Sequence, residues 1–139
     1  MSRVNWPRAV ASGALWTVTY NFFWGVAWFA FMRDAWLDAL ASIRRPLPLS
    51  AEVWFLLVVL TMLMGVAIMA FSASRAPTVM VWKPVLIGSL ALWVLMTLGM
   101  AGWGLPASIP TRMIALDSAV NLFCVLAAAL AGAWSQRAA

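Results

Sequence analysis

Apolar positions in this chain neither alternate nor keep to one face of a helix; they run on. Four stretches, residues 9–32, 51–71, 84–104 and 113–134, are almost continuously apolar, and none holds more than one charged residue. About 30 Å of hydrocarbon takes roughly 20 helical residues to cross, so each stretch predicts a membrane span. Helices are expected because an open strand leaves unpaired backbone groups in lipid. The pattern predicts an all-α integral membrane protein, residues 1–139 forming one domain of four transmembrane helices.

Pro84 falls in the first turn of the third span, where its missing N–H leaves no bond unmade. Pro106 and Pro110 bracket the connection to the fourth span. Trp6, Trp36, Trp54, Trp82, Trp103 and Trp134 lie near span ends, the depth that indole prefers. Trp16, Trp24, Trp28 and Trp93 lie deeper and need a packing partner or a lipid. Among the tryptophans, Trp24, Trp28 and Trp36 are the candidate contacts for a partner protein or lipid. After the first span, Trp36, Leu37, Leu40 and Ile43 share one helical face, with Asp34, Asp38 and Ser42 opposite. This predicts a short amphipathic helix lying in the interface, ended by "RRPLPLS". An ordered loop is the alternative.

Composition narrows the chemistry. Of 139 residues, 65% are hydrophobic and 9% charged, against about 25% charged in a soluble domain. The net charge of +5 is spread over short connections, with no basic run beyond Arg44-Arg45. Nucleic acid is therefore not an expected partner; the bilayer is. Counting Arg3, Arg8, Arg75, Lys83 and Arg137 on one side against Arg33, Arg44, Arg45 and Arg112 on the other places both termini in the cytoplasm. The N-terminal arginines and the apolar run behind them read as a retained first span rather than a cleaved signal. There is no histidine and one cysteine, Cys124. That leaves no internal disulfide, no histidine-ligated haem and no His-based triad or general base. No cofactor, metal site or nucleophile–base pair is legible, so a non-enzymatic role is expected.

The chemistry that remains lies within the spans. Asp117 sits about one turn inside the fourth span, and Asn121 one turn deeper on the same face. Counted from the side opposite the termini, Asn21 reaches a similar depth in the first span, with Tyr20 and Thr17 nearby. These residues predict either a hydrogen-bonded clamp between the first and fourth helices or a small polar cavity in which Asp117 handles a proton or cation. An Asn21–Asn121 or Asn–Asp bond is the expected form of the clamp. Glu52, at the start of the second span, suits the helix dipole. Ala128 and Gly132 form a small-xxx-small pair for close packing within the chain or, alternatively, between copies. Gly99 and Gly102 loosen the third span. The methionines and Cys124 read as apolar filling.

Two stretches, "FFWGVAWFAFMRDAW" and "MIALDSAVNLFCVLAAALAGAW", carry a resemblance to uncharacterised bacterial four-span membrane proteins, a domain of unknown function. The resemblance implies a multi-pass protein of the bacterial inner membrane and no particular activity. Small size, short connections and many tryptophans favour an accessory or structural subunit of a larger respiratory or photosynthetic-type complex. The alternative is a small ion or small-molecule transporter working as a homo-oligomer through Asp117 and Asn121.

Overall fold

The computed structural model describes residues 4–42, 51–75 and 82–137. They form α1 (Trp6–Ala27), a π-helical turn (Trp28–Met32), α2 (Arg33–Ser42), α3 (Ala51–Arg75), α4 (Trp82–Gly104) and α5 (Thr111–Arg137), with no strand among them. Three helices are long and apolar enough to cross a membrane: Ala51–Ser74, Trp82–Gly104 and Thr111–Gln136. α1 starts at Trp6, three residues before the apolar run. Asn5 caps it by accepting from the Arg8 amide at 3.3 Å, and a proline opens its first turn.

α1 is not among these three; Thr17, Thr19, Tyr20 and Asn21 interrupt its apolar run. The interruption is one-sided. Ala9, Ser12, Gly13, Trp16, Thr17 and Tyr20 are buried, while Val18, Phe22, Val26 and Phe29 are exposed. Apart from Trp16, polar and small residues turn inward and bulky apolar ones outward. That suits a helix packed against other helices in lipid, where small side chains let backbones approach and hydroxyls bond across the contact.

α1 packs between α3 and α5; α4 packs on α5 and, more thinly, on α3. Pairs such as Ser12–Ser135 and Tyr20–Asn121 run α1 and α5 antiparallel, as Thr17–Thr61 and the Trp24–Trp54 contact do for α1 and α3. The result is an up-and-down ring in chain order. Where α1 crosses α3, Gly13 meets Gly65 backbone to backbone. A Cβ at Gly13 would lie 2.6 Å from the Val66 Cα, and one at Gly65 would lie 2.7 Å from the Gly13 carbonyl oxygen. Ala128 and Gly132 also pack within the chain, Gly132 against Met69 and Trp16.

α3 and α4 meet near the terminal side of the bundle, where Gly88 faces Ile68, and part toward the distal side. Over residues 51–60 every residue of α3 is exposed except Trp54, which is half-buried. On α4, Leu95, Leu98, Gly99, Gly102 and Trp103 are exposed, and nothing lies within 4 Å of a Cβ built on either glycine. The distal half of the ring therefore has an apolar gap between α3 and α4.

The segment after the first span is helical, but it is not a separate helix set across the interface. α1, the π turn and α2 form one unbroken run from Trp6 to Ser42. At about 1.5 Å per residue this run is about 55 Å long, so it extends well past a hydrocarbon core. The π turn also changes its phase. Carried forward at 3.6 residues per turn, the buried stripe through Trp16 and Tyr20 passes 24, 27, 31, 34 and 38. The residues actually buried are Met32, Trp36 and Ala39. The extra residue of a π turn moves the stripe on by one position, so Trp36 turns inward while Asp34 and Asp38 stay exposed. Ile43 and the proline-rich 44–50 segment lie outside the described residues. Trp36, Met32 and Ala39 pack with Ile109, Met113 and Ile114 at the start of α5. Trp36 thus belongs to a core cluster, and its ring is not offered to lipid or a partner.

The α4–α5 connection is short and internally bonded. The Ile109 amide donates to the Gly104 carbonyl at 2.9 Å, and Ser108 adopts φ 63°, a left-handed conformation that closes the turn. This fixes where α5 begins and so sets the depth of Asp117.

Candidate functional site

The polar interior is built around Asn121, which is buried on α5. Its amide donates to the Asp117 carboxylate Oδ2 at 2.8 Å and to the Asp117 backbone carbonyl at 2.9 Å. Both contacts follow from i, i+4 spacing on one helical face. Its Oδ1 accepts from the Tyr20 hydroxyl across the α1–α5 contact. Tyr20 is held in turn by Trp16, whose ring stacks on it at 5.4 Å between centroids and 4° between planes. The Trp16 indole N–H donates to Ser89 Oγ on α4 at 3.2 Å. A line of contacts thus runs from α4 through α1 to the carboxylate on α5.

Asn21 is not part of that line. Its amide donates to the Thr17 carbonyl at 2.9 Å and to Thr61 Oγ1 on α3 at 3.0 Å. The expected Asn21–Asn121 bond is replaced by Tyr20–Asn121 because residues 20 and 21 are rotated about 100° apart on a helix. With Tyr20 facing α5, Asn21 must face α3. Thr17 adds to the α1–α3 contact by donating to the Gly13 carbonyl at 2.9 Å, and its hydroxyl also lies 3.1 Å from the Thr61 carbonyl.

A second polar contact ties α4 to α5 beside Asp117. The Trp93 indole N–H donates to the Ser118 carbonyl at 2.9 Å, and the Thr97 and Ser118 hydroxyls pair at 2.8 Å. The deep Trp93 thereby gains its packing partner. Trp24 and Trp28 are half-buried. They stack on each other at 5.3 Å, and Trp54 closes the group at 5.7 and 5.9 Å. This three-ring cluster joins α1 to the exposed half of α3. Trp54 therefore packs on protein rather than standing free at the membrane surface.

Asp117 is half-buried. No described residue donates a hydrogen bond to its Oδ1, and no described arginine or lysine pairs with it. The Asn121 amide bridging it to Tyr20 relays orientation rather than protons, since its N–H and C=O are both engaged in fixed directions. Cys124 is buried one turn deeper. Among the described residues no three His, Cys, Asp or Glu side chains converge as metal ligands would. The Gly13–Gly65 crossing and the Trp54 cluster were not expected from the sequence; Gly13 and Gly65 stand in it only as unremarkable small residues. Comparison of the chain with protein-family models, curated proteins and solved structures finds no match.

Proposed function

We propose that the chain crosses the bacterial inner membrane four times, termini in the cytoplasm, as a non-catalytic accessory subunit of a larger membrane complex of respiratory or photosynthetic type. The long α1 run supplies the fourth span. Its length suffices, and its exposed Val18, Phe22, Val26 and Phe29 form a lipid-facing stripe. The arginine count of the connections supports the orientation.

The observation that carries the reading is the self-contained polar interior. Tyr20, Asn21, Thr61, Trp16, Ser89, Trp93, Thr97 and Ser118 all bond within the chain. They tie helices together and set their register, as such bonds do in lipid, and among the described residues no three His, Cys, Asp or Glu side chains converge. Extraction from the host in mild detergent tests the role. A large native particle carrying other subunits, haem or pigment is the expected result; a small colourless homo-oligomer overturns it.

A second reading rests on Asp117, the acidic side chain inside the bundle that lacks a cationic partner among the described residues. Intramembrane carboxylates are costly and commonly mark ion or substrate paths. In this reading the protein is a small transporter working as a homo-oligomer through Asp117 and Asn121.

A further inference from the structure

We propose that Asp117 anchors a binding site for a bulky, lipophilic organic cation, reached from the membrane through the gap between α3 and α4. The inference takes the position of Asp117 from the second reading above but does not require transport.

Three observations converge on it. The first is the carboxylate itself. Asn121 holds Oδ2 at 2.8 Å and is itself fixed by Tyr20, while Oδ1 takes no hydrogen bond from any described residue. A preorganised anion at this depth is matched by a cation that sheds water readily. The second is the surroundings. Tyr20 meets Asn121 in an antiparallel pair, so one turn further along each helix brings Trp24 level with Asp117. Trp24 carries Trp28 and Trp54 with it on the α1–α3 side, and Trp93 is bonded to Ser118 on the α4 side. Indole faces attract cations most strongly among side chains when both are desolvated. The third is access. The ring order sets the α3–α4 gap opposite the α1–α5 seam that holds Asp117, and the gap is lined by apolar residues such as Leu57, Leu60 and Leu95.

The same contacts argue against a small inorganic cation. Hard cations take several oxygen ligands. Here Asn121 turns an N–H donor onto the Asp117 carboxylate, and among the described residues no second and third acidic side chain converge with it.

Equilibrium dialysis of tetraphenylphosphonium against the purified full-length protein in detergent tests the site. Saturable binding is expected, unaffected by added sodium. Asp117→Asn should weaken it by about tenfold or more and Trp24→Leu by about threefold, with Asp117→Glu retaining most of the affinity. Equal binding by wild type and Asp117→Asn overturns the proposal. If Asp117→Asn does not fold, the wild type decides: neutral triphenylphosphine binding as tightly as the cation also overturns it. The chain is measured alone, so failure here leaves the accessory-subunit reading untouched.

Discussion

Gly13 of α1 and Gly65 of α3 meet backbone to backbone. A methyl group on Gly65 would lie 2.7 Å from the Gly13 carbonyl, and one on Gly13 would lie 2.6 Å from the Val66 Cα. Neither neighbour is the movable end of a side chain, so the helices themselves would have to separate. Gly13→Ala and Gly65→Ala should each destabilise the bundle by about 1–3 kcal/mol, the usual range for overpacking. Gly99→Ala, where nothing lies within 4 Å, should be neutral or stabilising by up to about 1 kcal/mol through helix propensity. Thermal unfolding in detergent, followed by size exclusion, separates the two classes.

The Tyr20–Asn121 contact predicts a coupling rather than a large single effect. Interhelical hydrogen bonds in membranes average about 0.6 kcal/mol and reach about 1.7. Tyr20→Phe should fall in that range. Asn121→Leu should cost more, because it also removes the donor to Asp117. In a double-mutant cycle the pair should be less harmful together than the sum of the two. Additivity within error would show that the bond contributes nothing.

Trp16 is almost fully buried between Tyr20, Ser89 and Gly132. Trp16→Ala removes the ring at the centre of the bundle and should cost about 3–5 kcal/mol, as large aromatic truncations do. Ser89→Ala removes only the indole's acceptor and should cost about 0.6 kcal/mol. Urea titration of both variants measures the difference; similar losses would mean that the hydrogen bond, not the packing, holds this region.

Removing one residue from the π turn tests its role as a phase shift. Deleting Ala30 should restore an uninterrupted α period and keep Met32, Trp36 and Ala39 on the buried stripe, because the one-position shift leaves with the extra residue. In the native register a cysteine at position 38 should react with a water-soluble maleimide and one at 36 should not, since Asp38 is exposed and Trp36 buried. The deletion should keep that order. Reversed labelling would mean that the π turn does not supply the one-position shift.

Continuous apolar runs located α3, α4 and α5 to within about four residues at each end, because hydropathy and length are read directly from residue types. α1 was harder to delimit. Its start depends on the Asn5 cap, and its far end has no stop signal before residue 42. The π turn left no mark, since "WFAFM" has the composition of any apolar helix. Depth counting found the right level for the polar cluster but chose Asn21 over Tyr20. Depth along an axis says nothing about rotation around it, and one residue of rotation decides which neighbouring helix a side chain meets. Aromatic position near a span end did not distinguish Trp36 and Trp54, which pack on protein, from Trp6 and Trp134, which are exposed.

The unbroken run from Trp6 to Ser42 also acts as a lever. No loop separates α1 from α2, so a tilt of α1 swings the far end of the run through a larger arc. That motion passes through Trp36 to Met113 and Ile114, one turn before Asp117. Anything that tips α1 would thus be felt mechanically at the start of α5.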